Sequence, residues 1–440
     1  MKKFLTLMLA VVLATALALP AFAAKPDTRA AVPEGYNEHD YNKLVAFLEQ
    51  TDDADVKNGE KLSENYDPAD PKTWGEGCFE WIDVDGKLSV EMIEIGEHGL
   101  SGKLDVSGCT ALERLDCYEN RLTELNVSGC TALEFLDCYE NRLTELNVSG
   151  CTALEFLDCA YNSLTELDVS GFTALEFLDC AYNSLNELDV SGFTALETLF
   201  CSNNSLTELD VSGFTALRTL SCHDNSLTEL DASGCTALIF LYCYSNSLTE
   251  LDVSGCTALE ALECDFNSLT DLDVSNNTAL EYLSCMNNCL KELDLSNNPR
   301  LPGESIKAEG SGYIGCGYWD LDGMFIATAN AAEGATFLGW YNEAGEELST
   351  ETEFPFTDDG EKKVIAKFSE SAVEPDPTEA PVEPTEVPVE PTEAPVEPQP
   401  TGNPGEPTPV PPTGAISVIG IGVAALIAGA GVFAARKKND

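Results

Sequence analysis

Leu112-Glu113-Arg114-Leu115-Asp116-Cys117-Tyr118-Glu119-Asn120-Arg121-Leu122-Thr123-Glu124-Leu125-Asn126-Val127-Ser128-Gly129-Cys130-Thr131-Ala132 is a 21-residue stretch that the chain goes on to repeat. Its skeleton, Leu112-x-x-Leu115-x-Cys117-x-x-Asn120-x-Leu122-x-x-Leu125-x-Val127-Ser128, returns from Leu133, Leu154, Leu175, Leu196, Leu217, Leu238, Leu259 and Leu280 without insertion or deletion. A partial copy precedes it (Leu104 to Thr110) and another follows (Leu293 to Leu301). From Arg114 to Tyr118 apolar and variable positions alternate with period two, the pattern of a strand with one buried face. About a dozen residues separate Asn120 from the next copy's first leucine, too few for a helix and two turns, so the return wall is expected to be extended or 3-10 backbone. One copy cannot bury Leu112, Leu115, Leu122, Leu125 and Val127 by itself. Stacked copies can, with strands pairing in parallel about 4.8 Å apart, which makes a solenoid about 45 Å long.

In-register stacking turns each repeat position into a column. Asn120, Asn141, Asn162, Asn183, Asn204, Asn225, Asn246, Asn267 and Asn288 are expected to turn their amides inward and pair backbone groups of their own and adjacent turns. The serine column from Ser107 to Ser296 is expected to do similar work on the outer wall. Cys117, Cys138, Cys159, Cys180, Cys201, Cys222, Cys243, Cys264 and Cys285 take the inward slot of the strand. A disulfide needs Cβ atoms facing each other at about 3.8 Å, whereas in-register neighbours stand side by side, so these cysteines read as buried thiols packing as small hydrophobes. Cys109, Cys130, Cys151, Cys235 and Cys256 share a second column with Phe172, Phe193 and Phe214, an interchange that means packing. Cys78, Cys289 and Cys316 stand alone, and their pairing is open.

This skeleton resembles the leucine-rich-repeat family, whose signature Leu-x-x-Leu-x-Leu-x-x-Asn-x-Leu every copy matches except that Cys holds the third leucine position. A 21-residue repeat with stacked cysteines resembles bacterial surface proteins of the internalin J type. The resemblance implies a mainly β fold: a leucine-rich-repeat solenoid with a parallel β-sheet on its concave face. It implies nothing about a ligand.

The flanks divide the rest. Residues 25–103 read as a cap region: Tyr41, Leu44, Val45, Phe47 and Leu48 make one apolar helix face between Asn37 and Gln50, with Asn37 or Asp40 as caps. Strand-like residues from Trp74 to Ile95 then lead into the solenoid at 104–301. Asp83-x-Asp85-Gly86 is half of a calcium loop, but Trp81 and Met92 fill ligand positions, so a turn is expected. Residues 302–372 change to strand runs at Phe325–Ala331, Thr336–Tyr341, Phe354–Phe356 and Lys363–Phe368. Phe337-Leu338-Gly339-Trp340-Tyr341 followed by Ala366-Lys367-Phe368 resembles the B-repeat module of internalin-like proteins, here read as a small β spacer with Trp340 in its core.

The two ends address the chain. Met1-Lys2-Lys3, the apolar run to Leu19 and the small residues Ala21-Phe22-Ala23-Ala24 read as a signal peptide over 1–24, the alternative being an anchor helix. Residues 373–412 carry 14 prolines and nine acids with no basic residue, a disordered, extended stalk able to reach about 120 Å. A span at Ala415–Ala435 is uncharged and long enough to cross a bilayer as a transmembrane helix, and Arg436-Lys437-Lys438 hold its far end in the cytoplasm. Before it, Val410-Pro411-Pro412-Thr413-Gly414 resembles the Leu-Pro-x-Thr-Gly sorting signal with Val in place of Leu, within a segment 410–440. That resemblance implies sortase cleavage after Thr413 and attachment to peptidoglycan; alternatively the span stays uncut as a membrane anchor.

Charge and composition bound the function. Lys plus Arg total 23 against 76 Asp plus Glu, a net charge of −53, which excludes a phosphate-backbone binder and hence nucleic acid. No nucleophile elbow, metalloprotease helix or phosphate loop appears, and His39, His98 and His223 lie far apart in sequence, so neither an enzyme nor a cofactor or metal site is expected. The convex acids, such as Glu124, Glu145, Asp168 and Asp189, read as a solvated surface. Strand positions facing outward carry the functional expectation: Phe135, Phe156, Phe177, Phe240 and Tyr282 in one column, Asp137, Asp158, Asp179 and Tyr242 in the next, Tyr118, Tyr139 and Tyr244 in a third. Rings beside carboxylates on a rigid sheet suit a protein or glycan partner. The whole reads as a wall-displayed adhesin or interaction protein, with a non-adhesive spacer and, behind it, a polysaccharide hydrolase as alternatives.

Overall fold

The structure is a computed structural model and describes residues 31–319, 324–357 and 360–370. The signal peptide, the stalk, the sorting motif Val410–Gly414 and the span at 415–435 lie outside the described residues. The chain divides into two compact units, residues 1–289 with 294–301, and 290–293 with 302–440.

In the first unit the N-terminal helix runs over Glu38–Leu48. Asn37 caps it by accepting the His39 N–H at 3.0 Å, satisfying a donor that the first turn leaves free. Asp40, the other candidate cap, does different work: it is buried and accepts the Val90 N–H at 3.1 Å. A short helix at Asn58–Leu62 and a 3-10 turn at Pro71–Thr73 follow; neither was expected from the sequence. Strands Phe79–Val84 and Lys87–Glu94 form a hairpin. Asp85 and Gly86 at its tip take φ of 52° and 80°, and Asp83 accepts the Gly86 N–H at 2.8 Å, so the aspartates here build a two-residue turn.

The hairpin starts the main sheet. Lys87–Glu94 pairs in parallel with Arg114–Asp116, and the strands at 135–137, 156–158, 177–179, 198–200, 219–221, 240–242, 261–263 and 282–284 follow in chain order, giving eleven strands in all. Register is strict: Leu115, Leu136 and Leu157 face one another in turn, and each is fully buried. On the opposite wall, extended segments at Ser101–Asp105, Arg121–Asn126 and Glu145–Asn147 form a small parallel sheet. Coils then return to the main sheet through two hydrogen-bonded turns in succession, Val106 O to Cys109 N and Cys109 O to Leu112 N in the first. Close coil spacing demands glycine at some of these turns: a Cβ on Gly255 would sit 1.7 Å from the Ser233 carbonyl oxygen.

The asparagines form a ladder. Asn204 Nδ2 donates to the Cys180 carbonyl of the preceding coil and the Cys201 carbonyl of its own, while its Oδ1 accepts the Leu185 N–H. Asn225 and Asn246 repeat the pattern one and two coils on. Each amide thus pairs buried backbone groups that neither strand nor turn can reach. On the outer wall the work expected of the serines belongs to the residue two positions earlier: Asp168, Asp189 and Asp210 accept the N–H of Ser170, Ser191 and Ser212. The serine supplies the donor and the acid closes the turn.

The cysteine column is buried throughout, Cys117 to Cys285 each at 0% exposure, and Cys117 to Cys264 are free thiols. In the second column the thiols also donate: Cys130 to Val106 O, Cys151 to Val127 O and Cys256 to Ala232 O. Asn277 and Asn298 replace them in the last coils and donate to the equivalent carbonyls of Val253 and Val274. Cys109 has no preceding coil, and its thiol hydrogen-bonds Asp40 of the cap helix.

In the second unit, strands Ser305–Glu309, Lys363–Phe368, Phe337–Tyr341 and Glu347–Ser349 lie side by side in that order, and Gly312–Trp319, Met324–Ala331 and Glu353–Pro355 form a separate sheet. Trp340, Val364, Phe325 and Ile326 are buried among them. Gly312–Trp319, with three glycines, carried no clear alternation in the sequence, and the strands at 305–309 and 347–349 are only five and three residues long.

Candidate functional site

The open face of the main sheet is built by residues alternating with the buried leucines. Because the strands are parallel and in register, each outward position becomes a straight column. In the first column Phe135, Phe156 and Phe177 stack face to face, with centroids 4.3 and 4.4 Å apart and planes within 6°. Phe200 ends the stack edge-on at 5.9 Å. At the other end the Arg114 guanidinium lies 3.6 Å above the Phe135 ring and bonds the Asp116 carboxylate at 3.2 Å. Ring faces are therefore occupied by neighbouring rings, and the edges point outward.

Beside the rings stand Asp116, Asp137, Asp158 and Asp179, paired residue by residue across the strands. One oxygen of each of the last three accepts a backbone N–H two residues on, from Tyr139, Ala160 and Ala181. Burial, and after it the like charge of the next carboxylate, raises Asp137 and Asp158 above the usual carboxylate range; burial raises Asp179 as well. The same holds for Asp116, where Arg114 opposes the shift. This half-buried acid column runs beside the ring stack and holds back its protons, because a charged row in low dielectric is costly.

The third column gives Tyr118, whose hydroxyl donates to Glu97 at 2.8 Å, then Tyr139, the buried Ala160 and Ala181, and further along His223 stacked on Tyr244 at 4.3 Å. Ser221 Oγ lies 2.9 Å from His223 Nδ1, yet Asp224 is 3.9 Å from Nε2, beyond hydrogen-bond reach. The group that meets Nε2 is the Asn203 side-chain amide, whose Nδ2 lies 3.4 Å away. Burial lowers the His223 pKa. Phe240 and Tyr242 project from one strand, 6.5 Å apart, with Glu263 facing Tyr242 across the sheet. Tyr282 flanks the far side of Ala261.

A fourth column escaped the sequence reading. Glu119, Glu140, Tyr161, Tyr182, Asn203, Asp224, Ser245, Phe266 and Asn287, each just before a ladder asparagine, all take φ between 48° and 55°. This left-handed region costs an ordinary L-residue roughly 1–2 kcal/mol and favours Asn or Gly. Tyr161, Tyr182 and Phe266 are nonetheless among the most exposed aromatics, Phe266 at 60%. Tyr161 and Tyr182 stack at 4.1 Å, and Tyr139 meets Tyr161 edge-on, so this rim extends the ring surface of the sheet. The only signal in the sequence is the aromatic itself at a position where the other copies carry Glu, Asn, Asp or Ser.

Among the described residues one trio of ligand-type side chains converges, His39, Asp40 and Cys109, with atoms within 4.8 Å of one another. Each already has structural work: Asp40 holds Val90 and Cys109, and a His39 ring nitrogen lies 2.8 Å from the Ser107 carbonyl oxygen. The trio seals the first coil. The convex acids are likewise engaged: hydrogen bonds from the serine two residues on lower Asp168, Asp189 and Asp252 below the usual range.

Two family models match the chain, leucine-rich repeats in two copies over residues 194–235 and a leucine-rich repeat over 287–307. A search of the curated proteins found no match to this sequence. Among solved structures the chain is similar to the functional domain of InlJ from Listeria monocytogenes, which includes a cysteine ladder, at 39% identity and a TM-score of 0.43, over 47% of this chain and 48% of that one. It is also similar to an internalin (inlF) from Listeria monocytogenes, 23% identical over 45% of this chain and 71% of that one, TM-score 0.37. A leucine-rich-repeat protein from Leptospira interrogans, LIC12759, is 20% identical over 44% and 66%, TM-score 0.35. The chain thus spans about half the length of the InlJ structure. What the matched models and the stacked coils share is the repeat itself: this chain is built on leucine-rich repeats wound as a parallel β-solenoid.

Proposed function

We propose that the protein is a bacterial cell-surface adhesin or interaction protein that holds a protein or glycan partner on the open, concave face of its repeat sheet. The observation that carries this reading is the outward surface of nine consecutive repeat strands, where rings and carboxylates recur in columns between Arg114 and Tyr282, continuous over Phe135, Phe156 and Phe177 and over Asp116, Asp137, Asp158 and Asp179. A solvated surface has no need of such a stripe, and large contiguous apolar surface on a soluble chain marks interaction sites. The signal sequence, the Pro-rich stalk and the motif Val410-Pro411-Pro412-Thr413-Gly414 support display outside the cell, with sortase joining Thr413 to peptidoglycan and the 415–435 span holding the chain in the membrane beforehand. The same features support a Gram-positive type of cell.

One observation favours a second reading, a non-adhesive wall spacer: Phe135, Phe156 and Phe177 satisfy one another by stacking. An array of glycans and surface proteins probed with the full chain and with its Phe156→Ala/Phe177→Ala variant separates the two. Both rings are only half-buried, so the variant keeps its fold. The adhesin reading expects a specific hit that drops at least tenfold in the variant. A hit of unchanged strength, or none, supports the spacer.

A further inference from the structure

Two places on the face share a local arrangement, an acid two residues after a position that pairs with an aromatic residue on the neighbouring strand. At the first repeat strand, Arg114 lies over the ring of Phe135 on the next strand, and the acid two residues along, Asp116, takes its guanidinium at 3.2 Å. At the eighth, Ala261 stands where Arg114 stands, the acid two residues along is Glu263, and rings flank the position on both sides: Phe240 and Tyr282 pair with Ala261 across the sheet. In the three outward columns Arg114 is the only arginine or lysine.

Asp116 leaves its buried Oδ1 without a hydrogen-bond partner but has Arg114 on Oδ2, whereas among the described residues Glu263 has no ion-pair partner. Glu263 is 7% exposed, and its buried Oε1 has no hydrogen-bond partner. Neighbouring acids find theirs: Asp265 accepts from the Ser284 hydroxyl at 2.7 Å and the Met286 N–H at 2.6 Å. Leaving a buried carboxylate oxygen unpaired is costly, because it loses its water and gains nothing in return. A cation removes that cost, and a guanidinium fits best, because its flat plate stacks between rings while its N–H fork meets a carboxylate. A methylene-stemmed ammonium lacks the plate.

We infer that the notch at Ala261, walled by Phe240 and Tyr282 and floored by Glu263, receives an arginine side chain from the partner. The arginine lies as Arg114 lies over Phe135, its guanidinium paired with Glu263. The partner is therefore a protein segment that presents arginine to the eighth coil. This rests on the open face being the contact surface, and narrows its partner to the protein class. Burial and then Asp265 push Glu263 up to about 7, the behaviour of a carboxylate that has no cation beside it.

The test uses the full chain at pH 8 and a blocked Gly-Gly-Arg-Gly-Gly peptide, with its citrulline counterpart as the uncharged control, read by saturation-transfer NMR. Transfer to the arginine side chain is expected to exceed that to citrulline, and to fall at least fivefold in both Glu263→Gln and Ala261→Arg, while Glu166→Gln/Glu187→Gln on the outer wall leaves it unchanged. Equal transfer to both peptides, or a signal that survives both notch variants, overturns the proposal and leaves the array result to judge the adhesin reading by itself. A second arm needs no peptide. Ala261→Arg should raise the melting temperature at pH 8 by about 2–4 °C in the parent, and should give no rise when it is made in the Glu263→Gln background. A lower melting temperature in Ala261→Arg, with Glu263→Gln folded, shows that the notch rejects a guanidinium and overturns the proposal.

Discussion

Changing Glu263 to Gln should make the protein more stable at pH 8 and leave it unchanged at pH 4. Glu263 ordinarily titrates near 4.5 and is pushed up to about 7 in the folded chain by burial, then by the charge of Asp265. Tyr242 on the preceding strand and Ser284 on the next face it without supplying a cation. A raised folded pKa means that the native state holds the proton more tightly than the unfolded chain. The associated stability is complete below about pH 4.5 and is lost as pH climbs through 7. At about 1.36 kcal/mol per pH unit, the shift sets a ceiling of roughly 3 kcal/mol, and water entering the face reduces it to roughly 1–2 kcal/mol. For a unit of this size that is a rise of about 2–6 °C in melting temperature. Thermal melts of both proteins from pH 4 to pH 9 would show the difference opening between pH 5 and 8. A constant difference across that range, or a variant less stable at pH 8, would refute the reasoning.

Further expectations follow from the same geometry. Asn204→Ala strands the Cys180 and Cys201 carbonyls and the Leu185 N–H, and should cost about 3 kcal/mol in urea unfolding; a loss below about 1 kcal/mol would show that the ladder is not needed. Leu199→Ala opens a cavity at a fully buried position and should cost about 2–5 kcal/mol by the same measurement. Gly255→Ala drives a methyl into the Ser233 carbonyl and should lower the melting temperature by several degrees, whereas a neutral result would mean that the coils can spread. The thiols of the strand column, buried and raised by burial, should resist a thiol reagent in the native protein and react at once in denaturant.

The repeat was legible because its period never breaks. With every copy 21 residues long, a single reading of Leu115, Cys117 and Asn120 extends to all of them, and the parallel register follows from the identity of neighbours. Where the chain says something once, the sequence is weaker. The helix at Asn58–Leu62 has five residues and no apolar periodicity, and the glycine-rich strand at Gly312–Trp319 alternates too little to announce itself. Function was read at the level of columns. Face-to-face stacking of Phe135, Phe156 and Phe177 depends on rotamers that no pattern records. Tyr161, Tyr182 and Phe266 share a backbone angle rather than a residue type, so their column was invisible as letters. The missing partner of Glu263 depends on where one oxygen ends up, which only coordinates reveal.

The central claim is that partners dock on the open sheet face, and it is tested most directly by two variants that each change three acids to amides on opposite walls. One carries Asp137→Asn, Asp158→Asn and Asp179→Asn on the sheet face; the other carries Glu166→Gln, Glu187→Gln and Glu208→Gln on the outer wall. Titrated against the same array hit at equal ionic strength, the sheet-face variant should bind at least tenfold more weakly and the outer-wall variant should match the parent. Equal losses, or a loss confined to the outer-wall variant, would contradict the account.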